Sequence, residues 1–233
     1  MKRFVLKQIL PNDPEFDQVL ELENRVFWRA FQNDAGLMLK EYGRYKNASV
    51  FLAVYDTRLK QYAGFMRLIR HSTNGFKSLN DLEREPWGGR SIEQVLADTG
   101  LKLERETTLD IATLGVDKGY RAKDNQMQGA LVSSALYHGL IKYSLQHKYT
   151  HWVAVLDDKV LALVQDLGAN FHHYKDIKSA RYIDSPSSTP VWSHIETALL
   201  HARHAKPLHY QILVKGHGIN QIVDVPGKFK TQT

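Results

Sequence analysis

The sequence predicts a mixed α/β fold, with a central sheet flanked by helices. Three observations carry that expectation. The run Ala48-Ser-Val-Phe-Leu-Ala-Val-Tyr55 is nearly all apolar, as a strand buried on both faces must be, and residues 62–69 supply its antiparallel return. Residues 107–167 then alternate strand, helix, strand and helix, a succession that pairs its two strands in parallel. The 233 residues, 43% hydrophobic and 24% charged, suffice to bury a large core in one domain.

Each element has its own justification. Residues 4–9 read as a first strand, closed by Pro11-Asn-Asp-Pro14. Asn12 or Asp13 is placed to cap the next helix, where Phe16, Val19, Leu20, Leu22, Val26, Phe27 and Phe31 recur at three- and four-residue steps. A second helix is expected around 37–45, and a polar turn at 56–61 joins the hairpin. Residues 75–89 hold Pro86 and Gly88-Gly89 and predict an excursion with one short helix. Ser91 should cap a helix over 92–98 that Gly100 ends. Residues 107–116 are β-rich and 117–126 are polar. Leu131, Val132, Ala135, Leu136, Leu140 and Tyr143 mark the buried face of a long helix. A strand at 151–156 and a short helix at 159–167, ended by Gly168, follow. Ser185-Pro-Ser-Ser-Thr-Pro190 reads as a loop, 191–204 as a helix, and 209–214 and 221–225 as strands.

Composition excludes several classes. With no cysteine there are no disulfides, thiolate nucleophiles or zinc-thiolate sites. No 18-residue apolar run spans a membrane, and the N-terminus lacks the apolar core of a signal peptide, so a cytoplasmic protein is expected. The net charge is +6, of which +4 falls after residue 200: Arg203, Lys206, Lys215, Lys228 and Lys230 stand against Asp224. Such a surface attracts phosphorylated cofactors and acidic carrier proteins. No RNA-binding aromatic signature, zinc finger or basic helix points to nucleic acid. Among eleven histidines the closest pairs are His172-His173 and His201/His204. Neither has an HExxH motif or a convergent carboxylate, so no metal is expected.

Leu114-Gly-Val-Asp-Lys-Gly-Tyr-Arg121, followed nine residues on by Ala130-Leu131, resembles the strand-to-helix motif of the GNAT acyltransferase superfamily. His151-Trp-Val-Ala-Val-Leu-Asp-Asp-Lys-Val-Leu-Ala-Leu-Val-Gln-Asp-Leu-Gly168 resembles the segment that follows it. The resemblance implies a GNAT-type, mostly antiparallel central sheet whose fourth strand, loop, long helix and fifth strand bind the donor. It also implies transfer of an acyl group from a pantetheine thioester to an amine, with acyl-CoA or the phosphopantetheine of an acyl carrier protein as co-substrate. Arg25-Val-Phe-Trp28, Tyr62-Ala-Gly-Phe-Met-Arg-Leu-Ile69 and the loop at 79–86 are similar to the acyl-homoserine-lactone synthases and N-acyl amino acid synthases. That branch carries Glu-x-x-Arg-x-x-Val on its fourth strand. Asp110-Ile-Ala-Thr113-Leu-Gly-Val116 keeps an acid in the first position and has Thr in place of Arg.

Candidate site residues follow. Asp110 is a candidate base for the incoming amine; as the alternative, it is a structural carboxylate paired with an arginine such as Arg67. Glu106, four residues earlier and so on the same strand face, is a second candidate. The resemblance implies that the backbone of Leu114, Gly115 and Val116 pairs with pantetheine amides. Arg121, Lys123, Asn125 and Gln126 occupy the loop that meets the donor phosphate. This loop, Arg121-Ala-Lys-Asp-Asn-Gln-Met-Gln-Gly129, lacks the family's Arg-x-x-Gly-x-Gly glycines, which favours a carrier-protein phosphodiester over a coenzyme A pyrophosphate. Many GNAT members place a tyrosine acid four residues before the helix-end glycine; here that position is Val164. Phe27, Trp28 and Phe31 are expected in the core, or lining an acyl pocket in the long-chain branch. Expected partners are an acyl carrier protein, a small amine acceptor and a second copy of the chain. The alternative function is a degenerate GNAT domain that binds a ligand or partner without turnover.

Overall fold

Phe4–Ile9 forms strand β1, and its neighbour β2 (Ser49–Asp56) runs antiparallel to it from Phe4↔Asp56 to Ile9↔Phe51. The computed structural model describes residues 2–121 and 126–231. They group into two compact units, the first Met1–Leu68, Thr113–His147 and Gln211–Thr233, the second Ile69–Ala112 and Lys148–Tyr210.

In the first unit, β3 (Gln61–Ile69) lies beside β2, and the end of β4 (Thr108–Val116) beside β3. On the other edge of β1, β9 (Val223–Asp224) pairs in parallel. Side chains alternate across a strand, and the two faces take different helices. Ile9, Phe51, Ala53 and Phe65 pack with Phe16, Val19, Leu22 and Val26 of α1 (Phe16–Phe31). Leu6 and Leu52 meet α6 (Gln126–Gln146) instead, at Gly139, where an added Cβ would sit 2.6 Å from a Leu6 methyl. Each such fully buried aliphatic or aromatic side chain contributes about 1.5–3 kcal/mol. Helix α2 (Ala35–Tyr42) is capped by Asp34, whose carboxylate accepts the Leu37 N–H at 2.7 Å. The short helices α5 (Lys118–Arg121) and α10 (Ile219–Ile222) complete this unit.

In the second unit, the start of β4 pairs in parallel with β5 (His151–Asp157), and β5 pairs antiparallel with β8 (Ser185–His194). The short strands β6 (His172–His173) and β7 (Ala180–Tyr182) also pair antiparallel with β8. Its core joins Leu79 and Leu82 of α3 (Lys77–Leu82) and Val95 of α4 (Ile92–Thr99) to Phe76, Trp87, Val153, Tyr174 and Ile177. As its sequence suggests, α4 starts at a Ser91 capping box with Gln94 and ends at Gly100 in the left-handed region (φ 69°). Helices α7 (Asp158–Asp166), α8 (Ile195–Ala205) and α9 (Pro207–His209) follow their strands. The fold is mixed α/β with mostly antiparallel strand pairing. Among the described residues no helix is long and apolar enough to cross a membrane.

Several expectations are corrected. No side chain caps α1; Asp13 instead accepts the Leu10 N–H and closes the preceding turn. The polar stretch after β4 contains α5, because Asp117 accepts the Gly119 N–H and starts a helical turn. The expected loop at 185–190 is the start of β8. Its hydroxyls find carboxylates where β5 gives way to α7: Ser185 donates to Asp157 at 2.8 Å and Thr189 to Asp158 at 2.6 Å. Val191 to His194 continue that strand, so α8 begins only at Ile195. Pro207 opens α9 and the following 210–214 wind into a π-helical turn rather than a strand. Trp28 is 49% exposed and so is no core residue, while Phe27 is partly buried against the α1 cluster.

Candidate active site

The β4–β5 ladder covers Thr108↔His151 to Asp110↔Val153, and β4 runs on to Val116. Along that extension Thr113 and Gly115 face α1. The Thr113 hydroxyl donates to Glu23, and a Cβ on Gly115 would lie 2.7 Å from the Phe65 ring and 2.8 Å from Val26. Packing therefore requires the glycine. At the strand end the Asp117 N–H donates to Ala63 O at 2.9 Å, and the Asp117 carboxylate meets Arg25 at 3.2 Å and Arg29 at 3.7 Å. Tyr120 is buried and donates to Asp56 at 3.0 Å, an oxygen that Arg3 also takes at 2.8 Å. Burial, reinforced by Asp56, pushes the Tyr120 hydroxyl up to about 12, so it stays protonated as a donor to Asp56. Gly129 lets α6 start against it, since a Cβ there would stand 2.5 Å from Tyr120 O.

The consequence is a cationic turn. Arg25, Arg29, Lys118 and Arg121 are all exposed at or beside Asp117, four cations around one acid. Arg121 closes α5, and Gln126 is exposed at the first position of α6. Lys123 and Asn125 lie outside the described residues. Sequence reasoning missed Arg25 and Arg29 as phosphate candidates, although their four-residue spacing on α1 puts both guanidinium groups on one helix face.

Asp110 lies in the second unit and is 0% exposed. Its partner is not Arg67. Both of its oxygens are taken by Ser78, the second residue of α3: Oδ2 accepts the N–H at 2.8 Å and Oδ1 the hydroxyl at 2.6 Å. Lys77 is nearby, but its ammonium is committed to Asp81 at 2.7 Å and to the Tyr182 hydroxyl at 2.6 Å. Lys77 also acts on Asp110, through its charge and through a backbone hydrogen bond. Burial pushes its carboxyl up to about 6, against the pull of the Ser78 hydrogen bonds and of Lys77. The Tyr174 hydroxyl, buried in the same core, has no hydrogen-bond partner and is pushed up by burial and by the charge of Asp110. Glu106 does not share this strand: it is exposed in the one-turn 3-10 helix before β4.

Arg67 has another carboxylate. It pairs with Glu23, which also accepts from Thr113, and its guanidinium lies 5.1 Å from the Tyr42 ring and 4.8 Å from the Phe51 ring. Sequence reasoning did not single out Glu23. Its position, four after Val19 and three before Val26, sets it on the apolar stripe, which is the signal that could have found it.

No family model matches the sequence, and no curated protein matches it. Solved structures do. BjaI, described as a CoA-dependent acyl-homoserine lactone synthase with SAM and isopentyl-CoA, overlays at TM-score 0.58 with 12% identity, over 97% of this chain and 95% of that one. FeeM, an N-acyl amino acid synthase from uncultured soil microbes, overlays at 0.59 with 11% identity, over 86% and 96%. The chain has the GNAT acyltransferase fold. Val164, four residues before Gly168, is buried in α7. Among the described residues no group of three or more His, Asp or Glu side chains could hold a metal ion.

Proposed function

We propose that this GNAT-fold chain is an N-acyltransferase that takes its acyl group from a pantetheine thioester. The observation that carries the proposal is the end of β4, which outruns its ladder with β5 and delivers its last residues into a turn ringed by exposed cations. Backbone groups of Leu114, Gly115 and Val116 hold the pantetheine amides, and Arg121, with Arg25 and Arg29, meets the donor phosphate. Gln126, exposed at the first position of α6, is a further candidate, and Lys123 and Asn125 are candidates by their place in the sequence. The amine nitrogen attacks the thioester carbonyl carbon, and a backbone N–H of β4 bonds the oxyanion. Asp110, directly or through a water, takes the proton the amine loses; the C–S bond then breaks and the thiolate leaves with a proton from solvent. The basic tail and the glycine-poor loop favour an acyl carrier protein over free acyl-CoA.

Thiol release, measured with acyl-CoA and acyl-carrier donors against a panel of primary amines, tests the proposal. Amine-dependent release that Asp110→Asn abolishes supports it, and no release with any donor overturns it. The second reading, binding without turnover, draws on Val164 in place of an acid and on the complete burial of Asp110. Donor binding with no release would establish it.

A further inference from the structure

A buried carboxylate needs a source of order. Ser78 supplies two hydrogen bonds to Asp110, at 2.8 Å from the backbone and 2.6 Å from the hydroxyl, and the Lys77 backbone and charge act on it beside them. Two donors from one residue, one to each oxygen, fix the plane of the carboxylate as well as its position. They also leave lone pairs on both oxygens, since a carboxylate has about four acceptor sites. The groups recorded against Asp110 are few. Lys77, which also bonds Asp81 and Tyr182, favours the charged form of Asp110, and among the described residues the Tyr174 hydroxyl has no hydrogen-bond partner. On β5, the residue in register with Asp110 is the apolar Val153. Ser78 itself is buried and makes no other side-chain hydrogen bond among the described residues.

We propose that Ser78 is the positioning residue of Asp110, holding the carboxylate ionised and in one orientation so that it accepts the proton of the attacking amine. This rests on Asp110 acting as the base. The hydroxyl is the part that can be removed, because the N–H remains in any variant. A hydrogen bond to a charged group held this tightly corresponds to about one pH unit in the acceptor's titration.

The test follows the Asp110 side-chain carboxyl by 13C NMR in the full chain, its signal assigned by loss in Asp110→Asn. Ser78→Ala should move the Asp110 titration up by about one unit from its parent value near 6. Ser78→Cys, a weaker donor of similar size, should move it partway and keeps the test alive if the alanine variant does not fold. Tyr174→Phe should leave it in place. The acid limb of the acyl-transfer rate should rise by the same amount in Ser78→Ala, with the alkaline plateau retained. An unmoved titration in both Ser78 variants overturns the inference. A moved titration with an unmoved rate limb overturns the role of Asp110 as base, and with it the functional half of the inference, while the NMR arm stands apart from any activity.

Discussion

Two buried carboxylates divide this molecule. Glu23 in the first unit and Asp110 in the second are both 0% exposed. Glu23 is answered by a full charge: Arg67 pairs with it between two aromatic rings, and Thr113 adds a hydrogen bond. Asp110 is answered by the hydroxyl and N–H of Ser78, with the Lys77 backbone and charge as smaller contributions. Burial pushes both carboxyls up, and at Asp110 the balance falls near 6, within reach of a proton-transfer role at neutral pH. The difference teaches that a carboxylate paired with a guanidinium inside a core is committed to the fold. One held mainly by hydrogen bonds keeps a proton affinity that chemistry can use.

The sharpest way to break the comparison is to remove the cation. Arg67→Ala should destabilise the first unit by about 3–5 kcal/mol, because it leaves Glu23 buried and unpaired. The double variant Glu23→Leu/Arg67→Met should recover most of that loss. Urea unfolding of the three proteins checks both statements, and a single variant within 1 kcal/mol of the parent, on the order of a surface pair, would remove the structural role.

The next effect is a pH dependence of opposite sense to that of a salt-bridged acid. Asp110 has a folded-state value raised to about 6, so between about pH 4 and 6 the folded state binds more protons than the unfolded chain. Its contribution is therefore full below pH 4 and is lost as pH rises through 6, about 3 kcal/mol in all. Asp110→Asn should flatten that segment of the stability profile measured by thermal unfolding from pH 4 to 7. It should also keep its fit, since the Ser78 hydroxyl can turn to accept from the new amide while the Ser78 N–H still finds an oxygen.

A smaller effect belongs to the cationic turn. Arg121→Ala should weaken donor binding by about 1.5–3 kcal/mol, seen as a higher donor KM with the acceptor KM little changed. The loss should shrink as salt rises, because the contact is exposed. Superimposed donor titrations of variant and parent at low and high ionic strength would retire Arg121 as a phosphate ligand.

How much of this was legible in the sequence depended on whether the cause was local. β1 matches its expected bounds, Phe4–Ile9, and α4 sits between its Ser91 cap and Gly100, because both signals are contiguous. β8 was hidden because what holds Ser185-Pro-Ser-Ser-Thr-Pro190 as a strand is a pair of aspartates distant in sequence, Asp157 at the end of β5 and Asp158 at the start of α7. Arg67 was visible as a lone charge in an apolar run, and Asp110 as a lone acid in another, so pairing them was the economical guess. The apolar stripe of α1 marks Glu23 as buried, but no contiguous signal shows that it goes to Arg67, or that α3 brings a serine to Asp110. The motif residues from Leu114 to Arg121 could be located but not sorted: Gly115 and Tyr120 turned out to answer to packing, with Arg121 left exposed.

The central claim is that Asp110 serves chemistry rather than stability, and one paired measurement on Asp110→Asn addresses it. Amine-dependent thiol release and the thermal midpoint would be recorded at pH 7 on the same preparation. The account predicts a fall in turnover of about 10²–10⁴-fold, the usual share of a positioned general base, with a midpoint no lower than that of the parent. Undiminished turnover, or a midpoint lowered by ten degrees or more (roughly 3 kcal/mol or more in a chain of this size), would contradict it.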